Sequence, residues 1–341
     1  MQQNSPFTLN IEHMKSYKFI TSGNCLSLIA VIVSINFLLL SCSTAPGNKD
    51  ISGRISISGA FALYPMAVKW AEEFQKLHPS VHIDVSAGGA GKGMADALNK
   101  MVDLGMVSRG ISPEEVAKGA WYIALTKDAV LPVVSTANPA IDSIKIHGLT
   151  KEQLASIFIT NKISDWNSCY KGIKEVKINA FTRSDACGAG EMWAKFLGKK
   201  QEDIKGVGVF GDPGMADAVK ADPSAIGYNN VIYAYDINTR QPYHGLMVVP
   251  IDLNGNRIID PSENFYQNLD SIMSAIQSGR YPSPPARDLY FVSNGIPQSK
   301  AVVEFIKWIL KEGQGFVSSA GYVRLTDEKI KSELKKLDSP L

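Results

Sequence analysis

VSAGGAGKGMADALNKMVDLGMVSR, residues 85–109, contains a strand end, a turn of small residues, a helix and the start of another strand. VHIDVSA at 81–87 alternates apolar and polar residues as a strand does, GKGMADALNKMV at 91–102 has apolar residues at helical spacing, and LGMVS at 104–108 is again a strand. Upstream, RISIS at 54–58 reads as a strand and Met66 to Leu77 as a helix through Val68, Ala71, Phe74 and Leu77. Alternation of this kind is the pattern of an α/β protein.

The pattern continues downstream. WYIALTKDAVLPVVS (121–135) reads as a strand pair, and LTKEQLASIF (149–158) as a helix with Thr150 at its N-cap and Gln153 completing a capping box. VKINAFTRS (176–184) is a strand, GEMWAKFLG (190–198) a helix closed by Gly198, and IGYNNVIYAY (226–235) a strand region. RDLYFVS (287–293) is a strand, and KAVVEFIKWILK (300–311) is a strongly amphipathic helix. No internal repeat or low-complexity tract interrupts this order.

The amino-terminal part reads differently. Lys15 and Lys18 precede the apolar run LSLIAVIVSINFLLL (26–40), which is broken by Ser34 and Asn36 and leads into STAPGNKD rather than a basic flank. It is short of the ~20 apolar residues of a membrane span, so a cleaved secretory signal is expected. Met14, directly before Lys15, looks like the natural start. Leu39, Leu40, Ser41 and Cys42 resemble a bacterial lipoprotein box, which implies signal residues 1–41, lipidation of Cys42 and a flexible tether over 42–52. Stable anchoring takes two acyl chains or more.

Removing residues 1–41 takes two of the 35 basic and one of the 33 acidic residues, leaving 33 against 32, a net +1. No basic block points to nucleic acid and no acidic tail to a solvating arm. About 300 mature residues are enough for two lobes. Of the four cysteines, Cys25 would be removed and Cys42 lipidated; Cys169 and Cys187 would pair outside the cytoplasm or stay reduced, and both possibilities stand.

Four strand-to-helix junctions are rich in small residues: SGAFALYP (58–65), SAGGAGKG (86–93), VSRG (107–110) and RSDACGAGE (183–191). In an open α/β sheet ligands sit beyond the carboxyl ends of strands, where helix N-termini point free amides at them, and small residues let an anion come close. A single junction is ordinary chain reversal. Four, with Lys92, Arg109 and Arg183 among them, suggest an anion site; the plain alternatives are surface or interlobe salt bridging for the arginines and a solvated side chain for Lys92. SAGGAGKG lacks the spacing of a phosphate-binding P-loop, and GAGKG lacks that of a dinucleotide fingerprint.

These loops, with ISGAFALYPMAVKWAEEFQKLHP, LTKEQLASIF and its neighbours Trp166 and Asn167, FTRSDACGAG and AIGY, resemble the periplasmic phosphate-binding proteins of ABC transporters, the PstS family, over nearly the whole mature chain. The resemblance implies a type II periplasmic-binding-protein fold: two α/β lobes, each a mixed sheet flanked by helices, with the ligand in the cleft. Residues 53–135 would begin lobe 1, 136–277 form lobe 2, and 278–341 return to lobe 1. It implies a monomer that captures phosphate or a related oxyanion for an ABC permease while lipid-anchored, facing the periplasm or cell exterior.

Carried over residue by residue, the site would comprise Ala60, Phe61, Gly88, Gly89, Ala90, Gly91, Ser108, Arg109, Arg183, Asp185, Cys187, Gly188 and Ala189. Arg183 matches the family's arginine. Ala60, Phe61 and Ala90 stand where the family has hydroxyls, Arg109 where it commonly has a carboxylate, and Ala186, Cys187, Gly188 and Ala189 replace GSGT. The lost carboxylate removes the acceptor for a phosphate proton unless Asp185 replaces it, so sulfate, an oxometalate and an organic phosphate also fit.

IDLNGNRIIDPSE (251–263) sets Asp252, Asn254, Asn256, Asp260 and Glu263 at positions 1, 3, 5, 9 and 12 of a calcium loop, with Arg257 at position 6 where glycine is expected. The choice is between a structural calcium ion and an Asx-rich turn entering a helix through Tyr266 and Leu269. No cofactor is required otherwise. The expectation is of a binding protein and not an enzyme: an extracytoplasmic phosphatase would need a nucleophile with a base, and Cys187 has no histidine near it in sequence. A ligand sensor of the same fold is the alternative.

Overall fold

A computed structural model describes residues 51–338. The expected signal segment, Cys25, the lipidation site Cys42 and residues 42–50 of the expected tether lie outside the described residues.

β1 (Gly53–Gly59) pairs in parallel with β2 (Val81–Ala87) on one side and β3 (Leu104–Val107) on the other. The crossovers are α1 (Tyr64–Leu77) and α2 (Ala90–Leu98). α2 lies very close to the sheet: a Cβ on Gly93 would stand 2.4 Å from the Met106 carbonyl, and one on Gly105 would stand 2.1 Å from the Gly93 carbonyl. Only glycine lets helix and strand backbones meet this way. After β3 the short α3 (Pro113–Ala117) starts with a capping box between Ser112 and Glu115.

β4 (Ala120–Ser135) corrects the expected strand pair: it is one 16-residue strand. The polar step at Lys127 and Asp128, which interrupts the apolar run, is not a turn; Asp128 faces Arg287 of the neighbouring strand instead. β5 (Leu149–Thr150) is a short strand, followed by α4 (Lys151–Phe158), whose Thr150–Gln153 capping box forms as the sequence foretells. Then come β6 (Asn179–Arg183), α5 (Gly188–Phe196), β7 (Val207–Val209), α6 (Gly211–Ala221) and β8 (Ala225–Asn230). Gly198, at φ +77°, takes the left-handed position just after α5. The expected strand at 226–235 stops at Asn230, where the helical turn α7 (Val231–Ala234) begins.

β9 (Leu246–Val248) and β10 (Ile251–Asp252) follow, then α8 (Leu269–Gln277), β11 (Ala286–Asn294) and α9 (Lys300–Leu310). β6 pairs in parallel with β7 and β8; β4 pairs antiparallel with β8, β9 and β11. β11 also closes on β3. β4 therefore belongs to two sheets. Ala120–Ala129 pairs with β11 in the first, Val130–Val134 with β8 in the second, and the hand-over falls inside the strand.

Each sheet carries its own apolar core. Trp70, Phe74, Phe291 and Phe305 fill the first; Phe158, Trp166, Trp193 and Tyr228 fill the second, where the Trp193 ring stacks on Tyr228 at 5.7 Å. Each such side chain contributes on the order of 1.5–3 kcal/mol by leaving water. The two layers meet along a seam onto which the carboxyl ends of β1, β2, β3 and β6 open.

Candidate anion-binding site

The seam is built from the loops that the sequence singles out. Gly91 N–H donates to the Ala186 carbonyl at 3.1 Å, and a Cβ on Gly89 would stand 3.0 Å from Asp185 Oδ2. A Cβ on Gly188 would lie 2.3 Å from both the carbonyl and the hydroxyl oxygen of Ser108. The Phe61 ring covers the Arg183 guanidinium at 5.7 Å and meets Phe210 edge-on. Thus Phe61, Gly89, Gly91 and Ser108 from the first sheet stand directly against Arg183, Asp185, Ala186 and Gly188 from the second.

Several amides drawn toward an anion by the sequence reading are spent within the loops. Ala60 N–H donates to the Met106 carbonyl, and Gly88 and Gly89 both donate to the Gly59 carbonyl. Cys187 N–H donates to Gln201 Oε1 at 3.3 Å. Ala90, Gly188 and Ala189 open α2 and α5, where the first amides have no intrahelical partner. A third N-terminus, that of α6, reaches the same place: Gly211 N–H donates to Asp185 Oδ1 at 3.2 Å.

Arg183 is the centre. Its side chain is 1% exposed, with Nε 2.8 Å from Asp185 Oδ1, Nη2 2.6 Å from Asp185 Oδ2, and Nη1 2.8 Å from Asp212 Oδ2. The approach to Asp212 is a charge contact, for Nη1 makes no directed hydrogen bond among the described residues. Burial by itself lowers the guanidinium pKa, but Asp212 and its other neighbours raise it above the ordinary value, so the charge stays. Burial raises the Asp212 carboxyl, opposed by Arg183.

Arg109 does not share these partners. Its Nη1 and Nη2 bind Glu115 at 2.9 and 2.6 Å, and its Nε lies 3.0 Å from Glu191 of α5. The reason is local: Glu115 is held at the start of α3 by the Ser112 capping box, two residues beyond the end of the arginine's own turn. Lys92 pairs with Asp96.

Four polar residues of the seam escape the sequence reading. Asp212 accepts from Asn230 Nδ2 at 2.6 Å, and Arg287 donates to Asn230 Oδ1 and, at 3.2 Å, to the Ser108 carbonyl. Arg287 Nη2 lies 3.4 Å from Asp128 Oδ2. FGDPG at 210–214, another glycine-bearing strand-to-helix junction, was the available signal for Asp212. Asp128 and Arg287 stand in apolar runs and become a pair only through strand register.

Cys169 and Cys187 are free and buried. Burial pushes the Cys187 thiol up to about 12, Arg183 opposing only in part, so it is not a ready nucleophile. In the 252–263 loop, Asp252 accepts the amides of Gly255 and Arg257, Glu263 those of Leu253 and Asn254, and Asp260 the carboxamides of Asn254 and Asn256. Among the described residues no group of three or more His, Cys, Asp or Glu is gathered to hold a metal, and no helix is long and apolar enough to cross a membrane.

Two α/β layers sharing a strand, with helix N-termini and a buried arginine at the seam, define a periplasmic-binding-protein fold of the second type. Residues 44–312 match the model of the PBP superfamily domain, and the chain belongs to that family. It is a distant full-length homologue of PstS phosphate-binding proteins. It is 25% identical to that of Methanocaldococcus jannaschii over 92% of this chain and 93% of the relative, and 27% identical to that of Xylella fastidiosa over 85% and 86%. In fold it resembles a Clostridium perfringens protein crystallised with bound phosphate (TM-score 0.65, 22% identity, 80% of this chain and 100% of that one). It also resembles an ABC-type phosphate transport receptor from Vibrio cholerae (TM-score 0.58, 19% identity, 79% and 99%).

Proposed function

We propose that this chain captures inorganic phosphate, or a closely related tetrahedral oxyanion, outside the cytoplasm and delivers it to an ABC permease, without catalysing a reaction. The relatives are phosphate-binding proteins by name. The observation that carries the reading is Arg183, a buried guanidinium at the place where three helix N-termini meet. Helix N-termini favour a bound anion, whose oxygens would meet the first-turn amides of Ala90, Gly188 and Ala189 beside that guanidinium.

Calorimetry of the purified protein against phosphate, sulfate, molybdate and a simple phosphate ester tests the reading. Phosphate is expected to bind, and Arg183→Lys to weaken it, because lysine keeps the charge but loses the forked donors of the guanidinium. Lysine keeps a positive charge beside Asp185 and Asp212, so the fold survives where alanine would leave two buried carboxylates unpaired. Absence of binding by any of the four anions sinks the proposal. The membrane anchor belongs to the same proposal: fatty-acid labelling should be lost in Cys42→Ala.

A further inference from the structure

We propose that Arg109 and Glu191 are the latch that holds the two lobes together, so that a pair outside the anion contacts sets how long a captured anion stays. This rests on the seam being the anion site.

Arg109 follows β3 in the first lobe and is oriented there before the second lobe arrives. Its two terminal nitrogens grip both oxygens of Glu115 at 2.9 and 2.6 Å, and Glu115 Oε2 also accepts the Ser112 amide at 2.9 Å. That leaves Nε, which lies 3.0 Å from Glu191 Oε2 across the seam, a charge contact. Glu191 is the fourth residue of α5, whose first residue is pressed against Ser108. The latch therefore sits where the lobes touch backbone to backbone, beside the Gly91–Ala186 hydrogen bond.

The chemistry suits a reversible contact. Arg109 is 14% exposed and keeps Glu115 as a partner when the lobes part, so opening leaves no naked buried cation. Glu191 is 46% exposed and regains water on opening. Closure thus gains one charge contact at little cost in the open state. A small free-energy difference between open and closed forms is what lets a ligand decide between them. Like other contacts made after encounter, the latch should act on dissociation more than on association.

Stopped-flow phosphate binding to the wild type, Glu191→Gln, Arg109→Gln and the double variant tests this. Glu191→Gln is expected to raise the phosphate off-rate about 10-fold and to leave the on-rate within about 2-fold. The double variant should be no worse than the more affected single one, because both remove the same contact. Added salt should speed release from the wild type and much less from Glu191→Gln. Since Glu191 lies on the surface, thermal melts of wild type and Glu191→Gln should coincide. Small-angle scattering gives a second readout that needs no ligand: the wild type should be more compact than Glu191→Gln. If the wild type binds no phosphate, the functional reading fails and this comparison still decides the latch. Equal off-rates in the presence of binding, or equal compactness in its absence, overturn it.

Discussion

Asp128 and Arg287 stand opposite each other in register on the two strands that run from one lobe toward the other, with Arg287 Nη2 3.4 Å from Asp128 Oδ2. Burial pushes the Asp128 carboxyl up to about 6, while the Arg287 guanidinium and the backbone amides of Ala129 and Val231 all favour its charged form. A raised carboxylate pKa means that the folded form binds the proton more tightly than the unfolded one. The contribution is therefore fully present below the ordinary value near 3.8 and is lost as pH rises through about 6. Denaturant melts across that window should show this group withdrawing about 3 kcal/mol. In Asp128→Asn that component should vanish, and stability at pH 8 should be no lower than in the wild type.

Selectivity between oxyanions follows from where the carboxylates are. Arg109 is engaged with Glu115 and Glu191, whereas Asp185 Oδ2 faces Gly89 across the seam. If Asp185 takes the phosphate proton, Asp185→Asn should lose affinity for phosphate more than for sulfate, measured by calorimetry. With Asp185 already accepting from Arg183 and Gly211, the wild-type preference for phosphate should be modest. A preference of many thousandfold would contradict this.

Gly188→Ala should be costly. The new methyl would need the space of the Ser108 oxygens, 2.3 Å away, so the seam must part or the loops must shift. Overpacking of this kind costs ~1–3 kcal/mol. Chemical denaturation should show that loss together with weaker anion binding. Gly110→Ala, with nothing within 4 Å of its Cβ, is the control and should be silent in both.

Calcium in the 252–263 loop stays a proposal, supported by the backbone path. Asp252 takes the amides of the fourth and sixth loop residues, Asn254 that of the fifth and Asn256 that of the seventh, while Arg257 has φ +70° at the sixth position. That is where a calcium loop places its glycine. Millimolar calcium is expected to raise the melting temperature by several degrees over chelator, since an ion bound only by the folded state stabilises it. Equal melting temperatures would leave an Asx turn and nothing more.

Local signals in the sequence were reliable where local physics decides. The capping box at Thr150 and Gln153 and the helix closed by Gly198 depend on a few neighbouring residues and formed as read, whereas the helix expected over 91–102 runs from Ala90 only to Leu98. The run 121–135 is one strand rather than the expected pair, and its buried Asp128 finds its partner 159 residues later, which local sequence does not show. Arg109 and Arg183 look alike in sequence, both in glycine-bearing turns. Which carboxylates reach them depends on α3, α5 and α6, so their different roles emerge only in three dimensions.

The strand shared by both sheets also fixes the order in which the chain can fold. β3 and the first ten residues of β4 have an open edge until β11, at 286–294, fills the gap between them. Most of the polypeptide must therefore exist before either layer is complete, and pairings at such sequence separation form slowly. A fragment ending before residue 286 would keep two unpaired strand edges, which are templates for aggregation.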